Sequence, residues 1–150
     1  MIIFIVTDSY DNFCKGVWLK ARNTLQEIAR DDCLVMHYTQ ATLDTVQRLR
    51  PWAICGSGGC APYDSYDILD CAAYKRLVTE SAIPQLGICR SHQLLAHYFG
   101  GRIGRMRKLK PDEPDLAEYC PGYFKEWGVC PVRVIKDDPL FAGCGKTIRV

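Results

Sequence analysis

Two kinds of apolar pattern alternate along this chain, and their alternation restricts the fold more than any other feature of the sequence. Residues Ile2–Val6 form a continuous, largely β-branched run, which is typical of a strand covered on both faces. Apolar side chains then recur at three- and four-residue steps from Phe13 through Val17 to Ile28, which predicts one amphipathic helix. Further strands are predicted at residues 33–38, 52–55 and 84–89.

Helical patterns separate these later strands as well. Thr42 or Asp44 is placed to cap a short helix, and apolar residues line a second helix over residues 68–77. A third helix is predicted over residues 91–99 and ends at the two glycines that follow it. Strands that alternate with helices indicate an α/β fold of three layers, in which a mostly parallel sheet carries helices on both faces.

The pattern changes after residue 110. Several prolines punctuate a polar stretch there, which predicts a surface loop. Residues 127–135 and 146–150 then read as two further strands, which we expect to form an antiparallel extension. A length of 150 residues suits one hydrophobic core, so we predict a single domain over residues 1–150.

Cys89 lies where the fourth predicted strand meets the helix over residues 91–99. Functional sites of parallel sheets lie beyond the carboxyl ends of the strands. A thiol on a tight turn at this point faces the positive end of the following helix, which favours the thiolate over the thiol. Because a thiolate is a nucleophile for acyl transfer, Cys89 is the candidate catalytic residue, in the strand–nucleophile–helix elbow of hydrolases. The alternative is a buried, unreactive cysteine.

Gly58 and Gly59 follow the third predicted strand and reach the same edge of the sheet as Cys89. Either glycine can present a backbone N–H group to an oxyanion, and the N–H of Arg90 is a second donor. The alternative for this loop is a plain tight turn. A phosphate-binding loop is disfavoured, because the Gly-Lys-Ser/Thr ending is missing. His92 is expected to point away from the thiol, so we do not assign it as the catalytic base.

Four segments resemble, in order and spacing, the motifs of class I (triad) glutamine amidotransferase domains. Residues 87–93 (Gly-Ile-Cys-Arg-Ser-His-Gln) resemble the nucleophile motif G-[IVL]-C-x-G-x-Q, and residues 54–64 resemble the SGGP-type loop. Residues 125–132 resemble the E-x-G-x-x-x-V stretch, and residues 138–143 resemble the D-P-L-F-x-G turn. The resemblance implies a flavodoxin-like fold, which agrees with the alternation of strands and helices.

The same resemblance implies a substrate and a mechanism. Cys89 would hydrolyse the side-chain amide of glutamine through a thioester, and the ammonia would pass to a synthetase partner. Arg90, Gly58 and Gly59 would bind the oxyanion, while Gln93 either helps to hold the substrate or the loop or is simply a hydrogen-bonding residue of the helix. The resemblance implies no cofactor.

Two departures from the family's motifs alter these expectations. Ser91 stands where the family has Gly, and its Cβ fits beside the nucleophile only if φ stays negative or strain is accepted. The family completes its site with a His and a Glu in a C-terminal H-P-E motif, whereas no His follows His97. We therefore expect weak or no turnover by this chain alone, which is then a C-terminally incomplete piece, half of a split domain that a second chain completes, or an incomplete relative.

Three alternatives stay open at this point. A γ-glutamyl peptide hydrolase uses the same elbow and releases its product without channelling it. A non-catalytic binding module with a vestigial Cys89 is favoured by Ser91 and by the missing His and Glu. A related superfamily has a His directly after the elbow cysteine, and Arg90 argues against it.

Composition bears on other classes of function. The net charge is +2, and the basic run over residues 102–110 has no interleaved aromatic residues, so we expect no nucleic-acid binding and read the run as a solvated face or a partner contact. No apolar run approaches the roughly 20 residues that span a bilayer, and the first strand lacks signal-peptide features, so we expect a cytoplasmic protein without membrane association. The nine cysteines contain no C-x-x-C pair, which predicts reduced thiols and no metal site.

Overall fold

The computed structural model describes residues 1–59, 61–115, 121–126 and 128–149, and its internal contacts divide the chain into units at Met1–Ile103 and Gly104–Val150. One parallel sheet organises the first unit. Its strands lie in the order β2-β1-β3-β4, with β1 at Ile2–Val6, β2 at Cys33–His37, β3 at Ala53–Gly56 and β4 at Gln85–Gly87. The sheet confirms the predicted α/β class with parallel strands.

Strand β1 lies inside the sheet, and all of its residues are buried. Successive side chains of a strand point to opposite faces. Ile3 and Ile5 accordingly pack into one apolar cluster, whereas Ile2, Phe4 and Val6 pack into another. Apolar layers therefore cover both faces of the sheet, as a three-layer fold requires.

The helices of the first unit supply the outer layers. Val46, Leu77 and Leu94 join the cluster on one face, and Phe13 and Leu25 pack against the cluster on the other. The α-helices of the described residues are α1 (Tyr10–Cys14), α2 (Leu19–Ala29), α3 (Leu43–Leu49), α4 (Ala72–Glu80) and α5 (Arg90–Tyr98). Single 3₁₀ turns occur at Tyr38–Gln40, Tyr63–Ser65 and Pro139–Phe141.

The predicted single helix over residues 13–28 is wrong. Gly16 has φ +69°, a left-handed conformation that glycine adopts easily, and it separates α1 from α2. The break shifts the phase of the pattern, so Val17 and Ile28 are 64% and 77% exposed instead of lying on the core side. The boundary of α3 is closer to expectation, because Thr42 caps it and accepts a hydrogen bond from the Thr45 N–H at 3.1 Å.

The strand register places three carboxyl ends at one edge of the sheet. Ile5 pairs with Gly56, and Gly56 pairs with Gly87 on the other side. The residues that follow β1, β3 and β4 therefore emerge side by side, at the edge where parallel sheets carry their sites.

The second unit contains an antiparallel pair, which confirms the predicted antiparallel pairing of the later strands, although in the described residues they form a two-stranded sheet of their own. Strand β5 (Pro131–Arg133) pairs with β6 (Thr147–Arg149), and a separate bridge joins Lys108 to Tyr123. The predicted start of the first of these strands at Trp127 and the predicted end of the second at Val150 lie outside the described residues. None of the helices in the described ranges has the length and apolar character needed to traverse a bilayer.

Candidate active site at the carboxyl edge of the sheet

Cys89 occupies a strained turn between β4 and α5. Its backbone has φ 51° and ψ −106°, and it is the N-cap residue of α5. Arg30 and Arg50 also have positive φ, but both adopt the ordinary left-handed helical conformation after a helix, whereas the ψ of Cys89 lies far from that region. Strain of this kind costs of order 1–3 kcal/mol and is concentrated at functional positions. The turn leaves Cys89 exposed.

Glycines allow the neighbouring segments to approach this turn closely. A Cβ built on Gly58 would lie 3.4 Å from the Cβ of Cys89 and 3.8 Å from its Sγ. A Cβ on Gly87 would lie 2.7 Å from the backbone nitrogen of His92, so α5 can start beside β4 only because residue 87 is glycine. The structure thus brings the loop after β3 against the candidate nucleophile.

A buried network of hydroxyl groups joins the three strand ends. The Thr7 N–H donates to Ser57 Oγ at 3.0 Å, and Thr7 Oγ1 donates to the Ser57 carbonyl at 3.0 Å. Ser91 Oγ donates to the same Ser57 carbonyl at 2.6 Å and lies 3.1 Å from Thr7 Oγ1. Buried polar groups with this many partners hold a single arrangement. The network therefore fixes the start of α5 relative to β1 and β3.

Ser91 fits its position without backbone strain. It lies within α5 and is absent from the described residues with positive φ, so the strained residue of the motif is Cys89 rather than Ser91. The space for its side chain comes from Gly56, where an added Cβ would lie 2.6 Å from the Ser91 Cβ. The departure from the family's Gly is thus compensated across the sheet edge.

Asp8 supports the loop from the end of β1. Its side chain is buried, and Oδ1 accepts hydrogen bonds from the N–H groups of Ser9 at 2.8 Å and Ala61 at 3.2 Å. Its backbone carbonyl lies 2.9 Å from His37 Nε2. Sequence reasoning missed Thr7, Asp8 and Ser57. The sequence contains a signal for two of them, because Thr7 and Asp8 form a polar pair directly after the continuous apolar run of β1.

The side chain of Arg90 reaches back over the same loop. Its guanidinium lies 4.7 Å from the ring centre of Tyr63 and 5.3 Å from that of Tyr66, and it donates a hydrogen bond to the Ala61 carbonyl. Tyr63 in turn donates from its hydroxyl to Gln93 Oε1 at 2.8 Å. Burial raises the pKa of Tyr63, the Arg90 cation lowers that pKa, and a Cys89 thiolate raises it. Tyr63 therefore lies within electrostatic range of both residues.

The predicted site residues lie together at this edge. Gly58 adjoins Cys89, Gly59 adjoins the Arg90 side chain, and Gln93 lies one helical turn after Cys89, where its N–H donates to the Cys89 carbonyl at 3.1 Å. In the part of the chain that the structure describes, neither the Gly58 nor the Gly59 N–H donates a hydrogen bond within the protein. His92 is exposed on α5, whereas His37 is buried at the end of β2.

Residues 7–114 match the family model described as glutamine amidotransferase class-I. The chain belongs to this family. A glutamine-hydrolyzing GMP synthase subunit of Pyrococcus abyssi is 24% identical over 148 residues, covering 99% of this chain and 65% of the relative. Anthranilate synthase component 2 of Methanothermobacter marburgensis is 30% identical over 103 residues, covering 68% of this chain and 52% of the relative. The chain thus spans less than two thirds of the length of these curated relatives.

The match establishes the class I amidotransferase domain and its flavodoxin-like α/β fold. It covers the elbow, the glycine loop and the network of Thr7, Ser57 and Ser91, since all of them lie within residues 7–114.

Proposed function

We propose that this chain carries the nucleophile half of a glutaminase site, with Cys89 as its catalytic residue. The thiolate attacks the side-chain amide carbon of glutamine, the C–N bond breaks, and ammonia leaves after receiving a proton. Water then attacks the γ-glutamyl thioester, which releases glutamate and restores the thiol. The observation that carries this proposal is the strained, exposed Cys89 between β4 and α5, with Gly58 in contact range.

The oxyanion formed at the amide carbon needs hydrogen-bond donors that are already in place. The N–H groups of Gly58 and Gly59 are suited to this role because they donate to no other described group and adjoin the elbow. The N–H of Arg90, directly after the nucleophile, is the second donor that we assign. A donor of this kind contributes about 3–4 kcal/mol to transition-state stabilisation.

The proton for the leaving ammonia must come from a further group. A general acid has to lie within about 3 Å of the reacting atom, or act through one water. No hydrogen bond among the described residues joins an imidazole to Cys89. We therefore propose that the His and Glu come from a segment or a second chain outside these residues.

The proposed destination of the ammonia is a synthetase. The names of the relatives describe one part of GMP synthase and one component of anthranilate synthase. By analogy, the present chain would supply ammonia to a partner that activates the acceptor.

Selective labelling of Cys89 tests the assignment. We expect the γ-chloromethyl ketone analogue of glutamine to modify Cys89 and excess glutamine to protect it, as measured by peptide mass spectrometry. Exposed Cys14 is the internal control, which glutamine should leave unprotected. Slow labelling of many cysteines without protection would contradict the proposal and favour a non-catalytic module. Stronger protection by a γ-glutamyl dipeptide than by glutamine would instead favour a γ-glutamyl peptide hydrolase.

A further inference from the structure

We propose that the Arg90 side chain is a positioning residue that holds the loop residues 57–59 and 61–66 against the elbow and so aligns the oxyanion donors. This inference rests on the function proposed above. The assigned donors come from two different segments: Gly58 and Gly59 from the loop after β3, and the Arg90 N–H from the start of α5. Their alignment therefore depends on contacts between these segments.

The first contact is that of the guanidinium with two aromatic rings. Arg90 is 6% exposed, and its Cζ lies 4.7 Å and 5.3 Å from the ring centres of Tyr63 and Tyr66. Arginine favours such stacked, partly desolvated positions because its planar cation is weakly hydrated and attracted to ring faces. The hydrogen bond to the Ala61 carbonyl adds a direct link to the loop backbone.

The second contact is steric. A Cβ on Gly59 would lie 2.5 Å from Arg90 Nε and 2.9 Å from both Cδ and Cζ. The guanidinium end of Arg90 therefore lies against Gly59, one of the assigned donors. Because the guanidinium also contacts the rings of Tyr63 and Tyr66, we expect it to move aside less easily than that of a free surface arginine.

The two tyrosines that Arg90 contacts are themselves hydrogen-bonded to other elements of the site. The Tyr66 hydroxyl donates to the Thr7 carbonyl at 2.9 Å, at the end of β1. The Tyr63 hydroxyl donates to Gln93 Oε1 at 2.8 Å, on α5. Arg90 thus contacts side chains that are anchored both on β1 and on α5. We therefore expect removal of its guanidinium to loosen the loop against α5 while the Cys89 turn itself is retained.

Two electrophiles separate this role from a general effect on the thiol. With the glutamine chloromethyl ketone, the thiolate first adds to the ketone carbon, which puts the negative charge on the carbonyl oxygen; the carbonyl then re-forms as the sulfur moves to the methylene carbon and chloride leaves. Iodoacetamide instead alkylates the thiol by direct displacement of iodide and forms no oxyanion. In Arg90→Met we expect the chloromethyl ketone to modify Cys89 at least about 10-fold more slowly, since a displaced donor costs about 10²–10³ in rate. The iodoacetamide rate at Cys89 should stay within about twofold. Arg90→Lys should recover little, because an ammonium lacks the planar stack.

The exposed Arg48 provides the matched control, and Arg48→Met should change neither rate. Equal rates for the chloromethyl ketone in Arg90→Met and the unaltered chain would overturn the proposal that Arg90 holds the loop against the elbow. A parallel fall in both rates would overturn it as well, since it would show an effect on the thiol or the fold. Failure of the proposed function is distinguishable, because the unaltered chain would then show no glutamine-protected labelling of Cys89.

A double-mutant cycle tests the steric contact without any chemistry. Gly59→Ala should lower the Tm markedly when Arg90 is present, because the added Cβ meets the guanidinium end of the Arg90 side chain. In an Arg90→Ala background the same change should cost about half as much or less, since residues in contact are non-additive. Equal losses in both backgrounds would contradict this role of Arg90.

Discussion

Among single residues, Cys89 matters most for the proposed function, because its backbone conformation costs free energy. Its φ of 51° with ψ −106° lies outside the regions that L-residues favour, and only glycine adopts such a conformation without strain. The strain falls on the residue that we assign as nucleophile. Gly87 then makes room for the start of α5 beside β4, and Gly56 makes room for the Ser91 side chain.

We expect Cys89→Gly to be more stable than Cys89→Ala by about 1 kcal/mol in urea unfolding, because glycine relieves the strain and loses part of that gain to chain entropy. Both variants should lose all labelling by the glutamine analogue. The control is Ala96→Gly in helix α5, which should instead lose about 1 kcal/mol. Equal stabilities of the glycine and alanine variants would show that the turn is not strained.

His37 is a second residue with a measurable consequence. It is buried at the end of β2, where burial lowers its pKa below the ordinary 6.5, although the hydrogen bond to the Asp8 carbonyl and the charges of Asp67 and Asp8 oppose this. The unfolded chain therefore binds a proton first as the pH falls. The stability that neutral His37 contributes is complete above about pH 6.5 and is lost below it, as the pH falls through the folded pKa.

We expect the free energy of unfolding to fall as the pH drops below about 6.5, by at most about 1.4 kcal/mol per pH unit from this single group. His37→Gln should remove that slope. Asp31 and Glu113, whose pKa values are held at about 2, titrate at a much lower pH. The slope is measured by urea unfolding at several pH values. An unchanged slope in His37→Gln would show that a group other than His37 causes the pH dependence.

Sequence reasoning at this scale succeeded where the chemistry is local. The placement of Cys89 after a strand and before a helix followed from apolar runs on either side of it, and the structure has it there. The seat of Arg90 on Tyr63 and Tyr66 could not be predicted in the same way, because it depends on a loop that starts about 30 residues earlier in the sequence. No local pattern distinguishes such an arginine from a solvated one.

At the scale of elements, the break between α1 and α2 shows the limit of periodicity. The apolar spacing across residues 13–28 fits one helix, and the predicted face contained Val17, which the structure exposes. A single glycine in a left-handed conformation decides the outcome, because it ends one helix and lets the next start with a new phase. Strand β1 was predictable because its buried apolar run is continuous and short.

Gly16 gives a direct test, since a Cβ there would meet no atom within 4 Å and only the positive φ opposes it. We expect Gly16→Ala to cost about 1 kcal/mol and Gly16→Asn to cost less, because asparagine tolerates left-handed conformations. Thermal or urea unfolding measures both variants. If alanine and asparagine proved equally costly, or both neutral, conformation at Gly16 would not be what separates α1 from α2.

In the whole molecule, the residues that match the family model include the residues that meet at the carboxyl ends of the strands. The match over residues 7–114 contains every residue assigned here to the site. The chain spans 65% of the length of the Pyrococcus abyssi relative, and the His and Glu that we assign to a completing segment are predictions. The roles of Cys89, the glycine loop and Arg90 can nevertheless be tested on this chain, because acylation of a thiol by an activated ester needs no protonated leaving group.

The most direct measurement uses the p-nitrophenyl ester of the glutamate side-chain carboxyl, whose nitrophenolate leaves without a proton. We predict a burst of nitrophenolate stoichiometric with the chain, followed by slow turnover, because no imidazole among the described residues is hydrogen-bonded to Cys89 and able to activate water against its thioester. The Cys89→Ala chain supplies the background. A burst that persists in Cys89→Ala, or no burst in the unaltered chain, would contradict the assignment of Cys89 as the nucleophile.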